Sequence, residues 1–205
     1  MAEAEPARTV DDPGERRSFE LHRIGGVLAA TVVGSITGAV MASVQHLTVS
    51  TILGRVKAAP LPVIAICPLI GLVLAAVCLR WLARGASPAL ADEYILAIHD
   101  PAPLDVAPVP GRVIASIATI GLGGVLGLEA VALYAGGAIG TFAESRLGRF
   151  LRREDTKMLM VAGAAAGVAA IFQTPVTGAV FALEVPFRGR LGRRNVVPVL
   201  AGSLA

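Results

Sequence analysis

Charge is scarce in this chain. Of 205 residues, 18 are Lys or Arg and 15 are Asp or Glu, together 16%, where a soluble domain carries about 25%. With 55% hydrophobic residues and a mean hydropathy of +0.71, the composition points away from a water-soluble globule. It also excludes a disordered chain, which needs low hydrophobicity. Cysteine is nearly absent: Cys67 and Cys78 cannot staple a secreted domain, and without CxxC or CxxH spacing they predict no metal site. The 23 glycines follow no G-X-Y period, which excludes collagen. GxSxG and HExxH are both missing, and His22, His46 and His99 are scattered, so neither an enzyme nor a bound cofactor is expected. The net charge of +3 comes from clusters at segment ends, a pattern of membrane topology rather than nucleic-acid binding.

Where charge is missing matters more than how much. No Asp, Glu, Lys or Arg occurs in Ile24–Gly54, Ala58–Leu79 or Met158–Leu183, and Val113–Ala143 holds only Glu129. A bilayer core about 30 Å thick needs about 20 apolar residues in a helix. The first two runs and the last are long enough to span, and Val113–Ala143 is one long helix or two pieces broken near its glycines. Residues 1–23 are polar and read as a cytoplasmic tail ahead of a membrane domain over 24–205. The apolar run that follows is too long for a signal peptide. Arg16, Arg17 and Arg23 put the N-terminus inside, and Arg80 and Arg84 fit a return there, although Arg55 and Lys57 would then lie outside.

Ser87–His99 reads as a short helix with Ser87 as N-cap and Pro88 in its first position. It is too short and polar to span, and so is either a surface helix or a re-entrant one. Pro101–Gly111 reads as a loop. Arg146, Arg149, Arg152 and Arg153 form one basic loop, and Arg188, Arg190, Arg193 and Arg194 another, each facing solvent or headgroups. Asn195–Ala205 is apolar but too short to span, as though a helix had been cut.

Two glycine-rich segments carry the functional signal. In Gly121–Gly140, glycines at helical spacing (Gly123/Gly127, Gly136/Gly140) allow close helix contact, while Gly121, Gly123 and Gly127 can break the run. A dinucleotide fingerprint fails, because its third glycine would fall at Leu126. A carboxylate at membrane depth costs about 2.5–3.5 kcal/mol and marks ion or proton pathways by default. A break at Gly127 would put Glu129 in the first turn of a half-helix, where free N–H groups and about half a positive charge favour an anion. A tethered carboxylate there competes with a mobile anion, and its protonation would release the site. In Met158–Val185, small residues over Gly163–Ala170 allow close packing, and Gln173-Thr-Pro175 ends one helix and starts another. Glu184 is as readily an interfacial carboxylate near Arg188 as a functional one.

Gly127-Leu-Glu-Ala-Val131 followed by Ala135-Gly-Gly-Ala-Ile-Gly140 resembles the GREGP segment of CLC chloride channels and anion/proton antiporters. Ala162–Ala170, Phe172-Gln-Thr-Pro-Val-Thr-Gly178 and Phe181-Ala-Leu-Glu184 resemble the family's GAAAG, FNAPLAG and IE segments, in the same order. The resemblance covers 24–205 and implies an all-α polytopic membrane protein with broken, re-entrant helices, the first inverted repeat of a CLC-type fold. It further implies a homodimer in the bilayer passing chloride or a similar anion. By the same resemblance Glu129 is the gating glutamate, Gly127, Leu128 and Ala130 supply backbone donors to the anion, and Ser87 falls near the serine of GSGIP, although Arg84-Gly-Ala-Ser-Pro88 matches that motif poorly. GREGP has become GLEAV, and the antiporters' proton glutamate is replaced by Val185, which favours passive conduction. The second half of the family's domain, with its GIFAP-like loop and pore tyrosine, is not matched, so the chain is expected to be a truncated portion. The alternatives are a non-conducting half-size protein that packs with a partner, and an unrelated proton-coupled transporter.

Overall fold

The computed structural model describes residues 13–100, 102–147, 157–187 and 196–205. Every regular element among them is helical. Helix α1 (Pro13–Gln45) runs on through a π-helical stretch (His46–Leu53) into the single turn α2 (Gly54–Lys57). Helix α3 (Leu61–Val77) likewise passes into a π-helical turn (Cys78–Leu82). Then come α4 (Leu90–His99), α5 (Val109–Gly121), α6 (Glu129–Leu147), α7 (Met158–Phe172), α8 (Pro175–Phe187) and α9 (Val196–Leu204). By length and composition, Ile24–Lys57 and Leu61–Leu82 are each sufficient to cross a bilayer.

Proline and left-handed residues punctuate this order. Pro60, Pro108 and Pro175 each stand at a helix start, where a missing N–H costs nothing. Gln173, with φ 55° and ψ 32°, ends α7 in the left-handed conformation, and α8 begins two residues later. Two boundaries differ from the sequence expectation. The helix expected from Ser87 begins at Leu90, because Ala89 (ψ 75°) is not helical. The Ser87 Oγ instead accepts the Ala89 N–H at 3.1 Å, closing a local turn. The loop expected over Pro101–Gly111 already turns helical at Val109, since Pro110 suits a first turn. Backbone 13–23, part of the expected polar tail, forms the first turns of α1, and residues 1–12 lie outside the described residues.

Helix α7 is the hub. Met158 through Ala169 are all buried, and α7 packs against α6, α8, α1 and α9. Its contacts are made by backbone meeting backbone. A Cβ added to Gly136 of α6 would strike the Gly163 carbonyl of α7, and one on Gly163 would strike the Gly136 carbonyl in return. Gly140 against Leu159, Gly167 against Ala132, and Gly178 of α8 against Ala165 repeat the pattern. Without a hydrophobic drive between helices in lipid, such close approach is what holds them together.

Two polar ties fix the rim of this core. Pro186 within α8 has no N–H, so the Ala182 carbonyl one turn earlier loses its helical donor. The fully buried Tyr94 of α4 donates its hydroxyl to that carbonyl at 3.1 Å. The Lys157 ammonium donates to the carbonyls of Ala97, Ile98 and Asp100, capping the C-terminal end of α4 with positive charge. Outside the core, Ile24, Leu28, Val32, Ile36 and Val40 form an exposed apolar stripe along α1, as expected of a surface that meets lipid or further helices.

Candidate functional site

The uncharged run with one carboxylate is not one helix. It breaks after Gly121, with Gly123 at φ 98°, and resumes as α6 at Glu129. The connecting residues Val125 and Leu126 are exposed. Glu129 is therefore the first helical residue of α6, where the leading backbone N–H groups have no intrahelical acceptor. The first i→i−4 bond of this end runs from the Ala132 N–H to the Leu128 carbonyl at 2.8 Å.

The Glu129 side chain folds back over Gly127. A Cβ built on Gly127 would overlap the Glu129 Oε2 and Cδ atoms, so only glycine leaves room for this carboxylate position. Glu129 and Ala130 are half-buried, Gly127 is exposed and Leu128 is buried. Gly127, Leu128, Glu129 and Ala130 are thus gathered at one helix end. Behind that end lies a cavity of about 210 Å³, bounded by α3 and its π turn, α5, and the start of α6. Gly127, Ala130 and Val131 line one side, and Arg112, Ser116 and Thr119 another. The wall reaches Pro88, while Ser87 itself is exposed. Val185 is half-buried against the core, and the neighbouring Glu184 is exposed.

Sequence reasoning missed Arg112. It is 2% exposed, and its two terminal nitrogens pair with both carboxylate oxygens of Glu93 on α4. Its guanidinium lies 4.9 Å from the Tyr134 ring centroid, and the Tyr134 hydroxyl donates to the Asp105 carbonyl at 3.2 Å. The signal was a lone arginine between Pro110-Gly111 and the apolar run, with no acid nearby in sequence to pair with it. Arg146, expected in a basic loop, instead ends α6 and stacks 4.9 Å from the Phe142 ring centroid. The remaining members of both basic loops lie outside the described residues.

Among the described residues, an all-helical fold with apolar helices, two of them long enough to cross a bilayer, is the architecture of a membrane protein. The family profile described as voltage gated chloride channel matches residues 70–205, and the chain belongs to that family. This sets aside the unrelated-transporter reading. A chloride/fluoride channel protein of Pseudomonas syringae pv. tomato is 35% identical over 109 residues, covering 52% of this chain and 24% of the relative. The voltage-gated ClC-type chloride channel ClcB of Shigella flexneri is 30% identical over 118 residues, covering 57% of this chain and 27% of the relative. The crystal structure of a CLC-type fluoride/proton antiporter superposes with a TM-score of 0.75 at 23% identity, over 90% of this chain and 45% of that one. The chain therefore spans about a quarter of the curated relatives it matches and under half of the solved structure. The antiporter comparison establishes the fold.

Proposed function

We propose that this chain builds a gated anion pathway across the cell membrane, with chloride as the first candidate ion and Glu129 as the gate. The observation that carries this reading is the Glu129 carboxylate folded over Gly127 at the start of α6. The N–H groups of Gly127, Leu128 and Ala130 and the positive end of the helix favour an anion there. The tethered carboxylate is such an anion. Protonation removes its charge and weakens its hold, and a mobile anion takes its place. Val185 at the position of the antiporters' proton glutamate favours passive conduction over coupled exchange. Ser87, close to the cavity through Pro88, would meet the ion further along. The complete assembly is a homodimer in the bilayer, as the family resemblance implies. Support for the choice of ion comes from relatives named for chloride and fluoride.

The test is anion efflux from chloride-loaded liposomes holding the protein, wild type against Glu129→Ala and Glu129→Gln. Both variants are expected to flatten the dependence of flux on pH. Flux indistinguishable from wild type at every pH overturns the gate assignment. No flux from any of the three favours a non-conducting protein that packs with a partner.

A further inference from the structure

The end of the second candidate span leaves unusual side chains on the outside. Leu61–Leu82 is long and apolar enough to cross a bilayer, and its closing π-helical turn carries Arg80, Trp81 and Leu82. All three are exposed, and so is Arg84 just beyond them. Trp81 is the sole tryptophan of the chain. It is 74% exposed, although tryptophan is ordinarily among the more buried residues. Ala83, between Leu82 and Arg84, is fully buried. A Cβ added to Gly111 of α5 would strike the Ala83 nitrogen and the Leu82 carbonyl carbon, so backbone contact with α5 holds this turn in place. The Gly85 N–H closes it by donating to the Leu79 carbonyl at 2.9 Å. Arg84 is the second anomaly. Its φ is 56°, in the left-handed region that helix ends fill with glycine or, less often, asparagine. A long side chain kept at a costly backbone position calls for a use. Among the described residues, neither Arg80 nor Arg84 takes part in an ion pair.

We infer that Arg80, Trp81 and Arg84 form a headgroup site for an anionic phospholipid at the end of α3. Span length sets the depth. The 22 residues of Leu61–Leu82 rise about 33 Å as a helix, against a hydrocarbon core of about 30 Å, which leaves the last turn at headgroup level. Leu72, Val73 and Val77, exposed on the preceding turns, offer the acyl chains an apolar wall. Tryptophan settles at this level because its ring is apolar and its N–H needs a polar partner. Guanidinium groups grip phosphate oxygens through parallel N–H donors. A zwitterionic headgroup brings its own ammonium, which opposes the two arginines. An anionic headgroup brings none, so it is preferred. The arginines also place this end of the span on the cytoplasmic side, whose leaflet carries the anionic lipids.

Because Trp81 has no tryptophan companion, its fluorescence reports on this site in the unmodified protein. The protein is placed in phosphatidylcholine liposomes containing increasing amounts of a lipid whose acyl chains carry bromine, a contact quencher. In one series that lipid is phosphatidylglycerol, in the other phosphatidylcholine. Brominated phosphatidylglycerol is expected to reach half-maximal quenching at a mole fraction well below that of brominated phosphatidylcholine. Arg80→Gln and Arg84→Gly are each expected to raise that mole fraction about fivefold, the attraction of one basic side chain to an anionic surface. Arg84→Gly is the sharper variant. It eases the left-handed backbone and should melt no lower than wild type, so its lost preference is not a lost fold. Equal quenching by the two lipids overturns the headgroup site. Quenching by neither means that protein covers this end of α3, and also overturns it. A preference that survives both substitutions overturns the assignment to these arginines. If a variant does not fold, the two wild-type series decide between the same outcomes.

Discussion

Helices α3 and α7 are similar in length, at 17 and 15 residues, and neither contains a charged side chain, yet they sit in opposite surroundings. Helix α7 is rich in Ala and Gly and almost wholly buried, whereas Leu61, Leu69, Leu72 and Val73 of α3 are all more than half exposed. In an apolar chain, hydropathy does not decide what is buried. Side-chain size does: small residues mark faces that meet protein backbone, and large ones mark faces left to lipid or to further helices. The glycine seam is therefore rigid in its demands, while the α3 face is permissive.

That contrast can be broken most forcefully at Gly136. Gly136→Val places methyl groups against the Gly163 carbonyl, and about 3 kcal/mol or more of stability should be lost, the upper end of overpacking costs. Thermal unfolding in detergent, with the yield of monodisperse protein, measures it. A melting temperature close to wild type would show that α6 and α7 do not approach as described. A middle effect belongs to Tyr94→Phe. Removing the hydroxyl strands the Ala182 carbonyl that Pro186 cannot serve, at a cost of about 1–2 kcal/mol. The sharper form is a double-mutant cycle. With Pro186→Ala restoring a helical N–H, the same Tyr94→Phe change should cost clearly less, and strict additivity would reject the rescue. The smallest effect is expected from Leu72→Ala on the exposed face of α3. It should stay within about 0.5 kcal/mol, and a large loss would mean that this face is packed against protein.

Much of this arrangement was legible in residue order. The uncharged runs located the helices, Gln173-Thr-Pro175 located the α7–α8 break, and the glycines before Glu129 offered the other as one of two readings, which the structure decides. Those signals are local: a missing donor or a free backbone angle acts within a few residues. Other features were not local. Glu93 and Arg112 are 19 residues apart and pair only because α4 and α5 both pack against α6. Lys157 reaches α4 carbonyls some 60 residues away. Nothing in the neighbourhood of either residue encodes its partner. The start of α4 departs from the sequence pattern for a different reason. Ser87-Pro88 carries a strong capping pattern, but the hydroxyl oxygen was taken by the nearer Ala89 N–H.

The bare Cα at Gly127 has a kinetic consequence. Because the Glu129 carboxylate lies where only glycine gives it room, on the proposed reading it can leave by rotating its own side-chain bonds while the backbone stays in place. Glu129 is half-buried, and a rotamer change there displaces one side chain, whereas helix and domain movements take microseconds to milliseconds. A gate of this kind does not wait on the helix rearrangements that a transporter needs. Its openings would therefore be governed by how often a proton arrives at one oxygen rather than by the pace of the protein around it.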